Sequence, residues 1–331
     1  MTTRKLASFK VSSVGMGCMG FSHGYGALPS EEESIRLMRK AFDMGRTLFD
    51  TAEAYGPFVN ETLVGKAVKP FRDKIVLTTK FSPCKVGDQD IANDEKLTAK
   101  GIRKALEDSL KRLGTDHVDC YYEHRVPQTS RPEEVAEVMG ELIKEGKIRG
   151  WGQSQSTPEQ IRRAHAVTPL SMIQSEYSMM ERMFEAEVIP LCKELGIGFV
   201  AFSPMASGFL SGKYNASMTY VGDDVRRAIT RFAKENVVAN QPLLDALERL
   251  SAAKGCTKAQ LALAWMLAKW PHVVPIPGMR SDERIEENLG AADIMLSLNE
   301  LTTIEEELSI ITIHGNRTDE DIQRMGYVKA Q

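Results

Sequence analysis

No apolar run in this chain of 331 residues is long enough to span a bilayer as a helix. The opening MTTRKLASFKVSS has no apolar core of the length a secretory leader needs. Charge of one sign is not in excess either. The formal net charge is -3, which gives neither a nucleic acid nor an anionic membrane a reason to bind. Cysteine is sparse and scattered: Cys18, Cys84, Cys120, Cys192 and Cys256 are odd in number and form no CxxC or Cys/His spacing. That pattern excludes a disulfide framework and a structural zinc site, and a reducing, cytoplasmic setting is expected. Linkers, low-complexity tracts and internal repeats are missing too, so a single domain over residues 1–331 is expected.

What is present is an alternation. Short apolar runs lie at 47–50, 74–80, 117–124, 149–154, 170–177, 196–204 and 272–278, and most lack the in-out pattern of half-exposed strands. Buried parallel strands fit them better. Between them stand helices with readable starts. Ser30 with Glu33 three residues on reads as a capping box, with Gly45 as the stop. Thr98 and Gly114 bracket a second helix. Ser156 or Thr157 starts a third, with Pro158 near its first turn, and Thr257 and Ser281 start two more. Seven strand–helix units follow from this count, and an eighth strand is needed near GMGCMG at 15–20. Eight such units can close into a parallel (β/α)8 TIM barrel, with LASFKVSSVG as a hairpin plugging its base. The stretch from Pro204 to Gln241 is too long for an ordinary connection, and a loop of that length is expected to be functional or disordered.

Gly15, Gly17 and Gly20 spell GxGxxG. A dinucleotide fold needs those glycines to open a helix, yet FSHGYGALPS follows and the helix signal begins only at Ser30. A barrel strand running into a rim loop explains them better.

Strand ends of a barrel converge on its active site. Asp50 ends one run, Tyr55 lies in the loop it feeds, Lys80 ends the next run and His124 the one after. Each has an ordinary alternative as a cap, a packing residue or a surface group. Together they make one mechanism. A Lys80 ammonium beside the Tyr55 hydroxyl favours phenolate and is expected to lower the tyrosine pKa. Asp50 would hold Lys80 charged, Tyr55 would act as general acid, and a neutral His124 would donate a second hydrogen bond to a carbonyl. That chemistry is carbonyl reduction, and it needs a hydride source.

At this point the chain resembles the aldo-keto reductases. The resemblance runs through GRTLFDTAEAYGPFVNETLVGKAV, with Asn60, Glu61 and Gly65 after the tyrosine. It continues through LTTKFSP, VDCYYEHRV, IKEGKIRGWGQS, IQSEYSMMER, VAFSPMASGFLSGKY and IPGMRSDERIEENLGA, all in order. The chain is most similar to bacterial, fungal and plant members of the YakC and auxin-induced type. The resemblance implies an NADPH/NADP+ site. Ser154 and Gln174 would hold the carboxamide, with Gln155 beside them, and Phe202 would stack on the nicotinamide. Ser203, Pro204, Met205, Ser207, Gly208 and Lys213 would follow the pyrophosphate. Gly278, Arg280, Arg284, Glu287 and Asn288 would face the adenosine end, the two arginines toward a 2′-phosphate.

Three departures stand out. Gly278 replaces a lysine found in some relatives, so NADP selectivity would rest on Arg280 and Arg284. Pro127 stands where an aspartate is common. The tail HGNRTDEDIQRMGYVKAQ is short and polar, which favours a small or polar carbonyl over a steroid. Two rival readings compete. One is a cofactor-sensing subunit of the potassium-channel β type. The other is a metal-dependent barrel hydrolase, which the spread of six histidines and the lack of an HxH cluster disfavour.

Overall fold

The structure, a computed structural model, describes residues 2–83 and 94–316. Cys84 and most of the polar tail lie outside them. An antiparallel hairpin comes first, β1 (Thr3–Leu6) with β2 (Phe9–Ser12). Eight strands follow: β3 (Met16–Gly17), β4 (Leu48–Asp50), β5 (Val76–Phe81), β6 (Val118–Glu123), β7 (Ile148–Ser154), β8 (Met172–Glu176), β9 (Gly198–Phe202) and β10 (Val273–Pro275). They pair in chain order and all in parallel. The expected eighth strand at 15–20 is thus present but only two residues long. The last strand meets the first. Gly15 and Gly17 donate backbone N–H groups to the Pro275 and Pro277 carbonyls at 2.9 and 3.2 Å, and Gly17 forms a parallel bridge with Gly278. The sheet therefore curls into the expected (β/α)8 barrel, with most of its helices outside.

Strand geometry sorts the side chains, because successive residues face opposite sides. Leu48, Val76, Cys120, Tyr122, Met172, Val200 and Val274 point inward and join Leu6, Phe9 and Val11 of the hairpin in one buried cluster. The hairpin seals the floor, as expected. A side chain on Gly198 would meet the Leu6 backbone at 2.6 Å, so glycine is what lets the plug sit this close. Phe49, Leu77, Phe81, Tyr121, Ile173 and Phe199 point outward into a larger cluster beneath the helices.

The helices bury one stripe each. In Glu31–Asp43, Ser34, Leu37, Met38 and Ala41 are buried at helical spacing. The Ser30 hydroxyl accepts the Glu33 N–H at 3.2 Å, but the return half of the expected capping box is not made. The Glu33 carboxylate instead takes two bonds from Arg36, both at 2.7 Å. Thr98, Thr157, Thr257 and Ser281 all cap helices as expected, and Thr157 and Thr257 complete full capping boxes. Thr157, not Ser156, starts its helix.

The long stretch from Pro204 resolves into short 3-10 turns at Ala206–Ser211, Val225–Arg227 and Thr230–Phe232 before the helix Lys234–Ala239. It is pinned to the barrel by Arg231, which is buried and donates to Glu176 at 2.8 Å and Glu181 at 2.5 Å. It also reaches the loop after β3, where Gly26 N–H donates to the Asp223 carbonyl at 2.9 Å. Among the described residues no helix is long and apolar enough to cross a membrane.

Candidate active site

Asp50 closes β4, and Lys80 points inward near the end of β5, its neighbour in the sheet. The Lys80 ammonium has three donors and uses all of them. It donates to Asp50 Oδ1 at 2.5 Å, to the Thr51 carbonyl at 2.8 Å and to the Tyr55 hydroxyl at 3.3 Å. The other Asp50 oxygen accepts Thr78 Oγ1 at 2.7 Å and Gln174 Nε2 at 2.8 Å. Tyr55 stands in the turn after β4, which Asn60 braces by accepting from Thr51 at 2.6 Å and donating to the Cys18 carbonyl at 2.9 Å. His124 follows β6, its backbone N–H donating to the Phe81 carbonyl at 2.8 Å. Its ring meets Tyr55 edge-on, with centroids 5.9 Å apart. Four residues foreseen at three strand ends thus form one cluster.

Electrostatics corrects one expectation. For Lys80, burial is the largest influence and works against the charge, but the Asp50 carboxylate and the Tyr55 phenol outweigh it, so the pKa sits above its ordinary value. For Tyr55, burial again comes first and pushes the pKa up, with Asp50 adding to the rise. Lys80 pulls it down, as expected, yet by less than burial raises it. The phenol therefore keeps its proton at neutral pH, which a proton donor requires. The ammonium acts on what is left once the proton has gone.

Asp50, Tyr55 and His124 border a cavity of about 490 Å³. Its wall continues through Gln174, Phe202, Ser203, Pro204, Met205, Ser207 and Gly208 to Gly278, Arg280, Ser281, Arg284 and Asn288. Ser203, Ala206 and Ser207 are all held at positive φ, between 47° and 56°. Non-glycine residues adopt that conformation at a cost of about 1–3 kcal/mol each, which concentrates at ligand-holding segments. The far end is the start of the helix Asp282–Gly290, where backbone N–H groups and two guanidinium groups favour an anion. Two buried polar atoms, Asn288 Oδ1 on the wall and Ser154 Oγ next to the wall residue Gln174, have no hydrogen-bond partner among the described residues. A long ligand with a carboxamide at one end and phosphates toward the other suits that donor set.

The family profile described as Aldo/keto reductase family matches residues 13–308. The chain belongs to the aldo/keto reductase family. A curated relative, the probable aldo-keto reductase 1 of Glycine max, is 39% identical over 310 residues, covering 93% of this chain and 89% of its own. Solved structures agree. A glycerol dehydrogenase from Gluconobacter oxydans superposes with a TM-score of 0.82 at 26% identity, over 94% of this chain and 96% of that one. An aldo/keto reductase from Klebsiella pneumoniae, solved in complex with NADP and acetate, gives 0.74 at 26% identity, over 96% and 98%.

Within this aldo/keto reductase cavity some foreseen residues are not on the wall. Ser154 is buried beside Gln174, its register partner across β7 and β8. Gln155 turns its amide to the Glu176 N–H at 3.3 Å. Lys213 is exposed, and Glu287 stands 3.8 Å from the Arg284 guanidinium. Arg280 is on the wall but engaged: it donates to the Ala27 carbonyl at 3.0 Å and the Tyr25 carbonyl at 3.1 Å. Gly17 and Gly20 of the glycine motif also line the wall, with no helix opening from them until Glu31.

Sequence reasoning missed Met19, Tyr25, Leu28, Arg125 and Tyr214, all of which border the cavity. Arg125 was within reach, since it follows His124 at a strand end; its guanidinium lies 4.7 Å from the centre of the Phe202 ring. Met19, Tyr25 and Leu28 lie in the segment between β3 and the first helix and Tyr214 in the long stretch after β9, where no strand-end pattern marks them. Among the described residues no group of three or more His, Cys, Asp or Glu is placed to hold a metal ion.

Proposed function

We propose that this aldo/keto reductase is an NADPH-dependent carbonyl reductase acting on a small or polar aldehyde or ketone. The observation that carries the reading is the Tyr55 hydroxyl, protonated, 3.3 Å from a buried ammonium and on the wall of the cavity beside His124. NADPH, when bound, supplies the hydride that the carbonyl carbon receives. Tyr55 delivers its proton to the carbonyl oxygen as charge develops there. Lys80 stabilises the phenolate that results, and Asp50 keeps Lys80 charged and aimed. His124 donates a hydrogen bond that orients the carbonyl.

For the cofactor, Gln174 and Ser154 would hold the carboxamide with Gln155 behind them, and Phe202 would stack on the nicotinamide. The segment Ser203, Pro204, Met205, Ser207, Gly208 and Lys213 would follow the pyrophosphate. Gly278, Arg280, Arg284, Glu287 and Asn288 would take the adenosine end. Because both terminal nitrogens of Arg280 are held by loop carbonyls, Arg284 is the arginine freer to meet a 2′-phosphate. The four described cysteines are free thiols, which supports a cytoplasmic enzyme, and residues 1–331 are read as one catalytic domain. Within the family we read the chain as one of the YakC and auxin-induced type, a reading supported by its sequence motifs alone.

The test is an assay of NADPH oxidation against nitrobenzaldehyde, methylglyoxal and pyridoxal. Turnover of at least one is expected. Tight NADPH binding with no turnover on any carbonyl offered would favour the cofactor-sensing alternative instead.

A further inference from the structure

Ser82 lies two residues beyond Lys80, fully buried and off the cavity wall. Its hydroxyl is 3.2 Å from Nδ1 of His124, and that nitrogen is its sole hydrogen-bond partner among the described residues. Its backbone N–H donates to Glu53 Oε1 at 2.7 Å. Glu53 is itself buried, receives Lys96 Nζ on the same oxygen at 2.6 Å, and has Arg112 4.0 Å from the other. A paired, buried carboxylate thus anchors the serine backbone, and the serine side chain faces the imidazole.

The direction of the Ser82–His124 bond follows from counting donors. A hydroxyl carries one proton and two lone pairs. If Nδ1 carried a proton and donated it, the Ser82 proton would be buried without an acceptor among the described residues. An unmet buried donor costs about 1–3 kcal/mol. If the hydroxyl donates, only lone pairs go unused, which is tolerated more easily. We infer that Ser82 donates to Nδ1 of His124 and fixes the imidazole as its Nε2–H tautomer. The one remaining ring N–H is then on Nε2, the nitrogen that would donate to a carbonyl oxygen. Ser82 is a positioning residue, with Glu53 as its anchor, and the inference rests on the reading of His124 as the group that orients the carbonyl.

Nitrogen-15 NMR of the histidine-labelled full-length protein, with NADP+ added, reads the tautomer directly; the His124 signals are assigned by their loss in His124→Asn. The wild type is expected to show Nε2–H, Ser82→Ala a mixture of both tautomers, and Ser82→Thr a return to Nε2–H. In kinetics, Ser82→Ala should raise KM for the carbonyl about five- to tenfold, the worth of one neutral hydrogen bond, and leave the NADPH Kd unchanged. An Nδ1–H ring in the wild type overturns the inference, and so does a tautomer unaffected by Ser82→Ala. The NMR needs no turnover. A wild-type Nε2–H ring that Ser82→Ala disturbs, in a protein that reduces no carbonyl, upholds the bond assignment and removes the reductase reading alone.

Discussion

The floor and the rim of the barrel are made from the same strands, yet they are different materials. Inward positions run from Leu48 to Asp50 on β4 and from Val76 through Thr78 to Lys80 on β5. They run from Cys120 through Tyr122 to His124 on β6, and from Met172 to Gln174 on β8. At the floor these positions are apolar and meet the hairpin side chains Leu6, Phe9 and Val11. At the rim each position is polar, equally buried, and satisfied by a named partner. Two to four residues of strand, about 7–13 Å, separate them. Substitutions at the floor should therefore act on stability, and substitutions at the rim on chemistry.

The largest expected effect tests the rim. Tyr55→Phe keeps the ring and its packing but removes the proton, so carbonyl reduction should fall by about 10²- to 10⁴-fold. NADPH affinity and melting temperature should stay close to wild type. Near-normal turnover in steady-state assays would take Tyr55 out of the mechanism.

At the floor the expectation reverses. Phe9→Ala empties part of the plug at a residue only 4% exposed, and should cost about 3–5 kcal/mol in denaturant unfolding. The enzyme that remains folded should keep its kcat. A lowered kcat at full folding would show that floor and rim are coupled.

The smallest expected effect concerns the outer face of a rim strand. Glu123 alternates with the inward Tyr122 and His124, is fully buried, and among the described residues is met only by neutral donors, Ser130 at 2.7 Å and Gln153 at 3.3 Å. Burial raises its pKa from 4.5 to about 7, and the two hydrogen bonds offset only part of that. A raised carboxyl pKa adds stability that is complete below pH 4.5 and is lost as the pH rises through about 7. At roughly 1.4 kcal/mol per pH unit, the loss amounts to about 3.5 kcal/mol. Glu123→Gln has no such dependence, so it should gain on the wild type as pH increases across that window. Urea melts at several pH values would show it. A gap between the two proteins that does not change with pH would mean that Glu123 titrates normally.

The barrel, the strand positions and the caps at Thr98, Thr157, Thr257 and Ser281 could be read from the sequence because each depends on residues a few places apart. The cap at Ser30 was only half legible. Whether Glu33 turns back to its own helix start or toward Arg36 is a competition that spacing does not decide. The four reactive residues were legible for a similar reason, since strand ends in a parallel barrel meet wherever the pattern repeats. The Tyr55 pKa was not, because the depth of burial belongs to the whole packed rim rather than to Lys80 alone. Tyr25 and Tyr214 lie on loops brought together only by contacts such as Gly26 with Asp223. Arg280 could be named from its motif, but its engagement with the Tyr25 and Ala27 carbonyls could not.

The seam between Gly17 and Gly278 has a consequence for how the protein is made. The two residues that lock the barrel are about 260 positions apart, so a growing chain emerges from the ribosome with its first strand unpaired along one edge for nearly the whole of synthesis. An open edge is a template for pairing with other chains. Here the exposure is brief in space though long in time, because β3 offers only two residues. The shortness of the first strand protects the nascent chain until its last strand arrives.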